Sequence, residues 1–218
     1  MPLFCKYGCG DADIYVWQVA ETVEELLLLV DDATRVAAAK FAGEKRRAEW
    51  LAVRALLKSV FGEGVSIKYD AAGKPVLNGN DAFISISHTR DFVAFAVSRS
   101  FSVGLDIESV GRVVGDAASR YFMRSEELEH ISAEFHDSAK LIRWTASEAV
   151  FKLVGDLGGN YRDNIVLENL QPATNGVLSL SLVGLSLGNG HYSVSYIYDG
   201  PLLLTLCYKG AGHSLSRV

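Results

Sequence analysis

Cysteines and long apolar runs are both scarce in this sequence. Its 218 residues include three cysteines, Cys5, Cys9 and Cys207, an odd number that is too small for a disulfide framework. Neither Cys5 nor Cys9 has a nearby histidine or a second cysteine pair, which disfavours a zinc site. The densest apolar stretches, LLLLV and FVAFAV, are far shorter than the ~20 residues of a membrane helix. Because no basic segment precedes a long apolar one near the start, we expect a reduced, cytoplasmic protein without a membrane partner.

An excess of positive charge is also missing. Lysine and arginine total 21 against 26 aspartates and glutamates, so the formal net charge is −5 at pH 7. This balance disfavours bulk attraction to nucleic acid, and we expect no nucleic-acid partner. Basic charge is nevertheless concentrated in residues 40–58, which carry six basic and two acidic side chains. Such a segment is either a site for a multiply charged anion or an acidic partner, or an ordinary solvated face.

The sequence has the composition of a folded domain, and the same order of predicted elements occurs twice along it. Hydrophobic residues make up 49% and charged residues 22%, which is enough to bury a full core. Helical patterns followed by antiparallel strand patterns occur in residues 1–102 and again in residues 103–218. Segregated helices and meander strands predict an α+β fold made of these two halves. No GxGxxG or Walker loop is present, so a nucleotide-binding α/β fold is disfavoured.

The individual elements follow from periodicity. Alternation predicts a first strand over 13–19, and composition predicts a helix from Thr22 to about Lys40. A longer amphipathic helix is predicted over 43–62, ending at Gly62. A further helix is predicted over 138–154, and residues 115–135 also have helical composition. The remaining strands are predicted at VSIKY, FISIS, FVAFAVS, VGLDIESV, VLSLSLV, HYSVSYIY and LLLTLCY.

Paired carboxylates stand out in the strand VGLDIE. Asp106 and Glu108 face one side of the strand, whereas Leu105 and Ile107 face the other. Side chains two residues apart lie ~7 Å from each other, so their oxygens could reach one divalent ion. Hard oxygen ligands of this kind suit Mg²⁺. A strand that merely exposes its polar face has the same alternation, and both interpretations remain open.

Three further positions carry groups that bind phosphate or move protons. The helix SAKLIRWTASEAVFKLVG places Glu148 and Lys152 on one face, as either a site pair or a surface pair worth about 0.3–0.5 kcal/mol. His88 follows Ser87 at the end of a strand, where it either binds an anion or serves a turn. Lys74 projects from the turn AAGKPV, as solvated loop lysines also do.

The order of these motifs is more specific than any one of them. The chain has Gly73-Lys74-Pro75, then Ile86-Ser87-His88, then Gly104-Leu105-Asp106-Ile107-Glu108, then Trp144 with Glu148, Ala149 and Lys152. This series resembles the 4′-phosphopantetheinyl transferase superfamily, specifically the long, surfactin-synthetase-activating type. The similarity spans roughly residues 40–155, and the length and two-half plan agree with it.

The resemblance implies a monomer with two α+β halves in a pseudo-twofold arrangement and the active site in the cleft between them. Such enzymes transfer the 4′-phosphopantetheine arm of coenzyme A to a serine of an acyl or peptidyl carrier protein, releasing adenosine 3′,5′-bisphosphate. By position, the ligands of Mg²⁺ or Mn²⁺ would be Asp106, Glu108 and Glu148. Glu148 and Lys152 would be the catalytic pair, as base and as pyrophosphate ligand. The coenzyme A contacts would be Arg47, Arg54, Lys74, Ser87, His88 and Lys152.

The chain departs from the family pattern at one position. The family usually has lysine immediately before the helix glutamate, where this chain has Ser147. Loss of that ammonium raises an alternative, a catalytically impaired module that binds coenzyme A or a carrier protein on the same fold.

Contact with the carrier protein is predicted through Arg46, in the basic segment 40–58. If recognition is apolar instead, Phe122 and Met123 are the candidates.

Overall fold

A computed structural model describes residues 3–155, 161–183, 191–210 and 212–218. The first half contains β1 (Leu3–Cys9), β2 (Ala12–Gln18), α1 (Val23–Leu27), α2 (Asp32–Ala38), α3 (Glu44–Phe61), β3 (Ser66–Tyr69), β4 (Pro75–Asn78), β5 (Phe83–Thr89) and β6 (Phe92–Ser98). The second half contains β7 (Val103–Ser109), α4 (Asp116–Ser119), α5 (His136–Val154), α6 (Tyr161–Asn164), β8 (Ile165–Glu168), β9 (Asn175–Leu182), β10 (His191–Asp199), β11 (Leu202–Lys209) and β12 (Ser216–Arg217). The protein is therefore a mixed α+β structure, as predicted.

Within the described residues, the strands form two five-stranded antiparallel sheets and one hairpin. The strand order of the first sheet is β12-β1-β2-β6-β5, and that of the second is β7-β11-β10-β9-β8. The hairpin is β3-β4. The last strand, β12, returns to the first half, because Tyr7 pairs with Arg217 and Gly8 with Ser216.

The two sheets pack face to face, and helices cover their outer faces. Between the sheets, side chains such as Ile14 and Ala94 of the first sheet meet Leu105 and Leu204 of the second in one apolar cluster. The outer face of the first sheet packs against α1, α2 and α3. The outer face of the second packs against α5. Both long helices pack on a sheet, but α5 is covered on more than one side, because residues 139–143 and 145–147 are all buried. No helix in the described ranges is long and apolar enough to cross a membrane.

Several predicted elements are confirmed, whereas others are absent or divided. The helices predicted over 43–62 and 138–154 form as α3 and α5, and Gly62 ends α3 with a φ of 77°. The helix predicted over 22–40 is wrong, because Thr22 and Asp31 each cap a separate short helix. The helix predicted over 115–135 is also wrong. That stretch contains α4 and two single turns of 3₁₀ helix, Ser125–Leu128 and Ala133–Phe135.

Gly104 allows α5 to lie directly on β7. A Cβ at this position would overlap the carbonyl oxygen of Ala149 and lie 2.7 Å from the backbone nitrogen of Leu153. Both atoms belong to helix backbone, which does not move aside as the end of a flexible side chain does. A glycine is therefore required by close approach here, although its φ is an ordinary one.

We expect Gly104→Ala to lower the free energy of unfolding by about 3 kcal/mol, because the added methyl group forces α5 away from β7. Gly111→Ala is the matched control, since a Cβ at Gly111 meets no atom within 4 Å. Urea-induced unfolding followed by circular dichroism measures both variants. Equal unfolding midpoints for the two would contradict direct packing of the helix on the strand at Gly104.

Candidate functional site

The two carboxylates of β7 face the helix layer rather than solvent. Asp106 and Glu108 are 6% and 8% exposed, and both faces of the strand are covered. Leu105 and Ile107 point into the core between the sheets, so the carboxylates lie on the α5 side. The interpretation of β7 as a strand with a solvent-exposed polar face is therefore wrong. A buried carboxylate needs partners, and each of these two has them.

Asp106 is held by a cation and a hydroxyl from two other elements. The ammonium of Lys152 on α5 donates to Asp106 Oδ1 at 2.7 Å and to Ser87 Oγ at 2.8 Å. The Ser87 hydroxyl on β5 donates to the same carboxylate oxygen at 2.8 Å. The structure therefore brings together three residues that the sequence predicted from three separate motifs.

Glu108 is bound by residues that the sequence analysis missed. Thr89 Oγ1 on β5 donates to Glu108 Oε2 at 3.1 Å, and Arg112 forms an ion pair with Glu108 Oε1. The Arg112 guanidinium also lies 5.3 Å from the centre of the Trp144 ring. The sequence signal for Arg112 was its place four residues after Glu108, in the turn that follows the strand.

Glu148 lies on α5 next to this group and is half-buried. Burial raises its pKa, and the Asp106 carboxylate raises it further, whereas Lys152 and Arg112 lower it. Burial raises the pKa of Tyr161 to about 12, and the nearby charge of Glu148 adds to this rise. Glu148 and Asp106 are therefore neighbouring carboxylates that repel each other.

The chemistry of these donors fits a divalent cation, although their present placement does not form a metal cage. Within the described ranges, no three histidine, cysteine, aspartate or glutamate side chains are placed to hold a metal ion together. Asp106 and Glu108 are instead engaged by Lys152 and Arg112. Carboxylate oxygens are the ligands that Mg²⁺ prefers. Burial is the main cause of the raised pKa of Glu148, and a bound cation would relieve the repulsion from Asp106 that adds to it.

His88 belongs to a second group, on the opposite face of β5 from Ser87. Its Nε2 lies 2.7 Å from Arg46 Nη1, and its Nδ1 lies 3.7 Å from a carboxylate oxygen of Glu49. Burial lowers the pKa of His88; the Glu49 carboxylate opposes that shift, while Arg46 and Lys152 add to it. The contact with Arg46 is consistent with a neutral His88 ring. An arginine side chain only donates hydrogen bonds, so Nε2 of His88 must accept one and carries no proton. Arg46, which the sequence assigned to the carrier, is thus the first-half arginine beside His88.

The other predicted cations of the first half occupy different surroundings. Lys74 reaches the last turn of α5 and donates to the carbonyl oxygen of Leu153 at 3.0 Å, and burial lowers its pKa. Arg47 has a buried Nε with no hydrogen-bond partner among the described residues. Arg54 stacks on the Trp50 ring at 3.6 Å and donates to the Trp50 carbonyl oxygen at 3.2 Å. Lys74 therefore approaches α5 near Lys152, whereas Arg54 contacts Trp50 on its own helix and Tyr69 on β3.

Phe122 and Met123 cannot form an apolar contact surface as they stand. Their exposures are 1% and 4%, and the Phe122 ring packs edge-on against Trp144 with centroids 5.2 Å apart. The exposed aromatic residue of this stretch is Tyr121, at 79%. The choice of Phe122 and Met123 as candidates for partner contact is therefore wrong, because both belong to the core of the second half.

Ser147 faces the interior of the second half. It is fully buried, and its hydroxyl donates to the Arg143 carbonyl oxygen at 2.8 Å and accepts from Arg143 Nη1. The same guanidinium donates to Glu127 Oε2 and to the carbonyl oxygen of Ile165, both at 2.8 Å. A buried cation is already present beside position 147. The serine is therefore part of a structural network, and it is not a vacant place in the group around Lys152.

Comparison with known proteins agrees with the geometry. Residues 102–198 match the model of the 4′-phosphopantetheinyl transferase superfamily. The chain is also 29% identical over 152 residues to the 4′-phosphopantetheinyl transferase AcpT of Salmonella typhi and to that of Salmonella typhimurium, which is 65% of this chain and 75% of each relative. These matches support the 4′-phosphopantetheinyl transferase superfamily that the motif order predicts, and they do not distinguish the long type within it. The matched range includes β7 and α5 but not the first-half residues Lys74, Ser87 and His88.

We expect Ser147→Lys to lower the free energy of unfolding by about 3 kcal/mol, because it buries a second cation against Arg143. Ser147→Ala removes one buried hydrogen-bonding group and costs about 1–3 kcal/mol. Ala133→Lys, at an exposed position, is the charge-matched control and should change stability by less than about 0.5 kcal/mol. Chemical denaturation separates the three. If Ser147→Lys were as stable as the native protein, position 147 would have to open toward solvent.

Proposed function

Residues 102–198 belong to the 4′-phosphopantetheinyl transferase superfamily, and on that premise we propose a specific reaction for the protein. It transfers the 4′-phosphopantetheine arm of coenzyme A to a serine of an acyl or peptidyl carrier protein. The serine oxygen forms a bond to the phosphorus nearer the pantetheine, the bond from that phosphorus to the bridging oxygen breaks, and adenosine 3′,5′-bisphosphate leaves. We assign the protein to the long, surfactin-synthetase-activating type, as a monomer with pseudo-twofold halves of residues 1–102 and 103–218.

The single observation that carries the proposal is the contact of Lys152 with both Asp106 and Ser87. It joins the acidic strand and the helix of the second half to a strand of the first. His88 and Arg46 lie on the other face of that first-half strand, and the charge of Lys152 acts on the pKa of His88. Basic and acidic groups are therefore adjacent where the halves meet, which supports an active site in a cleft between them.

Phosphoryl transfer needs positioning and charge neutralisation more than covalent participation by the protein. Lys152 supplies an ammonium for the pyrophosphate. Asp106, Glu108 and Glu148 would hold Mg²⁺ or Mn²⁺, which when bound neutralises charge on the transferring phosphate. Glu148 is also the proposed base, because a carboxyl with a raised pKa takes a proton more readily. Its carboxylate oxygen would accept the proton of the carrier serine, directly or through a water.

The adenosine phosphates of coenzyme A would lie against the first half. His88, Arg46 and Lys74 are the groups that the geometry supports best. Arg47 stays a candidate, because its buried Nε has no partner among the described residues and would gain one from a phosphate oxygen. Ser87 would act through Asp106 and Lys152, and Arg54 would lie at the margin because it is stacked on Trp50.

We expect the protein, incubated with coenzyme A, Mg²⁺ and apo carrier proteins, to raise the mass of a carrier by one phosphopantetheinyl group. Asp106→Asn and Glu148→Gln should each lower kcat by about 10²–10⁴-fold, because each removes one negative charge while keeping the side-chain volume. Glu63→Gln, at an exposed position paired with Lys58, is the control. Mass spectrometry of the carriers gives the rates. Binding of coenzyme A by the native protein without any transfer would favour the non-catalytic binding module instead.

The position of the adenosine 3′-phosphate can be tested with dephospho-coenzyme A. We expect the native protein to bind it at least about 10-fold more weakly than coenzyme A, because charge-assisted hydrogen bonds are worth about 1.5–3 kcal/mol each. This ratio should shrink in Arg46→Ala and Lys74→Ala but not in Lys45→Ala, an exposed lysine on the same helix as Arg46. Isothermal titration calorimetry measures the affinities. Equal affinity of the native protein for both ligands would place the 3′-phosphate elsewhere.

A further inference from the structure

Three buried hydroxyl side chains line the face of β5 that is turned toward the core between the two sheets. Ser85, Ser87 and Thr89 alternate along the strand and are 3%, 4% and 9% exposed. Their partners across the strand pair are Ala96, Ala94 and Phe92, which face the core between the two sheets. Buried hydroxyls cost free energy unless they are hydrogen-bonded, so their partners indicate why they are there.

Where the edges of the two sheets meet, hydroxyl oxygens of β5 accept hydrogen bonds from the backbone of β7 in place of backbone carbonyl groups. β5 is the last strand of the first sheet and β7 the first strand of the second, and the two lie side by side. The backbone N–H of Leu105 donates to Ser85 Oγ at 2.9 Å, and that of Ile107 donates to Ser87 Oγ at 3.2 Å. Both donors are on residues at most 1% exposed. Without the hydroxyls these N–H groups would be buried without an acceptor.

Two of the three hydroxyls also bind charged residues of the candidate site. Ser87 also binds Asp106 and Lys152, and Thr89 binds Glu108, so substitutions at either position disturb the site directly. The Ser85 hydroxyl instead accepts from the backbone of β7, one residue before Asp106. Ser85 therefore offers a way to change the placement of the carboxylate strand without removing a group from the site.

We infer that Ser85 is a positioning residue, which sets where β7 stands relative to β5 and thereby places Asp106 against Lys152 and Ser87. The far edge of β7 is tied to β11 over seven residue pairs, from Ser109 opposite Leu202 to Val103 opposite Tyr208. The near edge is tied to the first half through the hydroxyls. A displacement of a catalytic group by about 1 Å can lower the rate by about 10²-fold. A less firmly held edge of β7 should therefore slow catalysis. The role in catalysis rests on the proposed function, whereas the contact itself does not.

The contact is tested by amide hydrogen exchange, which needs no activity. In Ser85→Ala, we expect exchange at the Leu105 amide to accelerate by about 10-fold or more, because its acceptor is lost. Ser85→Thr keeps an oxygen at the same position and should restore protection. Ser98→Ala is the matched control, since Ser98 is 1% exposed and its hydroxyl accepts from the backbone of Ser100 and Phe101 within the first half. Native-like exchange at Leu105 in Ser85→Ala would overturn the inference.

The positioning role is tested by separating kcat from KM at a temperature where all variants are folded. We expect Ser85→Ala to lower kcat by about 10–100-fold with the KM for coenzyme A within about 2-fold of native, and Ser85→Thr to recover most of the rate. Ser98→Ala should keep the native kcat even if it lowers the melting temperature equally. An unchanged kcat in Ser85→Ala would also overturn the inference. Should the native protein modify no carrier, the proposed function fails and the exchange experiment alone decides the contact.

Discussion

Helix α5 can carry its charged groups to strand β7 because position 104 has no side chain. The backbone of Ala149 and Leu153 fills the space that a Cβ would occupy, so helix and strand approach as closely as their backbones allow. That approach places Lys152 within 2.7 Å of Asp106 and sets Glu148 beside it. The charged group, the buried packing of the second sheet and the proposed catalytic arrangement all depend on this one contact.

Charge can be buried near the contact where oppositely charged or hydrogen-bonding partners satisfy it. Asp106 and Lys152 neutralise each other and share the Ser87 hydroxyl, so neither is an isolated buried ion. Arg143 is buried completely, and its guanidinium is satisfied by Glu127, Ser147 and a backbone carbonyl. The two networks lie on different sides of α5. The Arg143 network holds α5 to the second half, whereas Lys152 links α5 to β7 and to β5 of the first half.

Elements with strong periodicity were predicted well, and those defined by local capping were not. The two long helices and β7 have repeating apolar positions over many residues, and each formed within one or two residues of its predicted bounds. The stretch from Thr22 to Lys40 has helical composition throughout, yet Asp31 accepts from the backbone of Thr34 and starts a new helix there. The strands β1, β4, β8 and β12 were missed. Three of them, β4, β8 and β12, have at most four residues, and such short strands depend on a neighbouring strand more than on their own residues.

The sequence by itself determined the motif order, and with it the family resemblance and the residue types that the proposed chemistry requires. It also determined that Asp106 and Glu108 share one face of a strand, because side chains alternate along extended backbone. Only the tertiary structure decided what covers each face. Ser87 and His88 are adjacent in the chain but point to opposite sides of β5, so one meets Asp106 and the other meets Arg46. Likewise Ser147 and Glu148 are consecutive on α5, yet the turn of the helix directs one into a buried network and the other toward the acidic strand. Such partners come from distant parts of the chain, which local periodicity cannot specify.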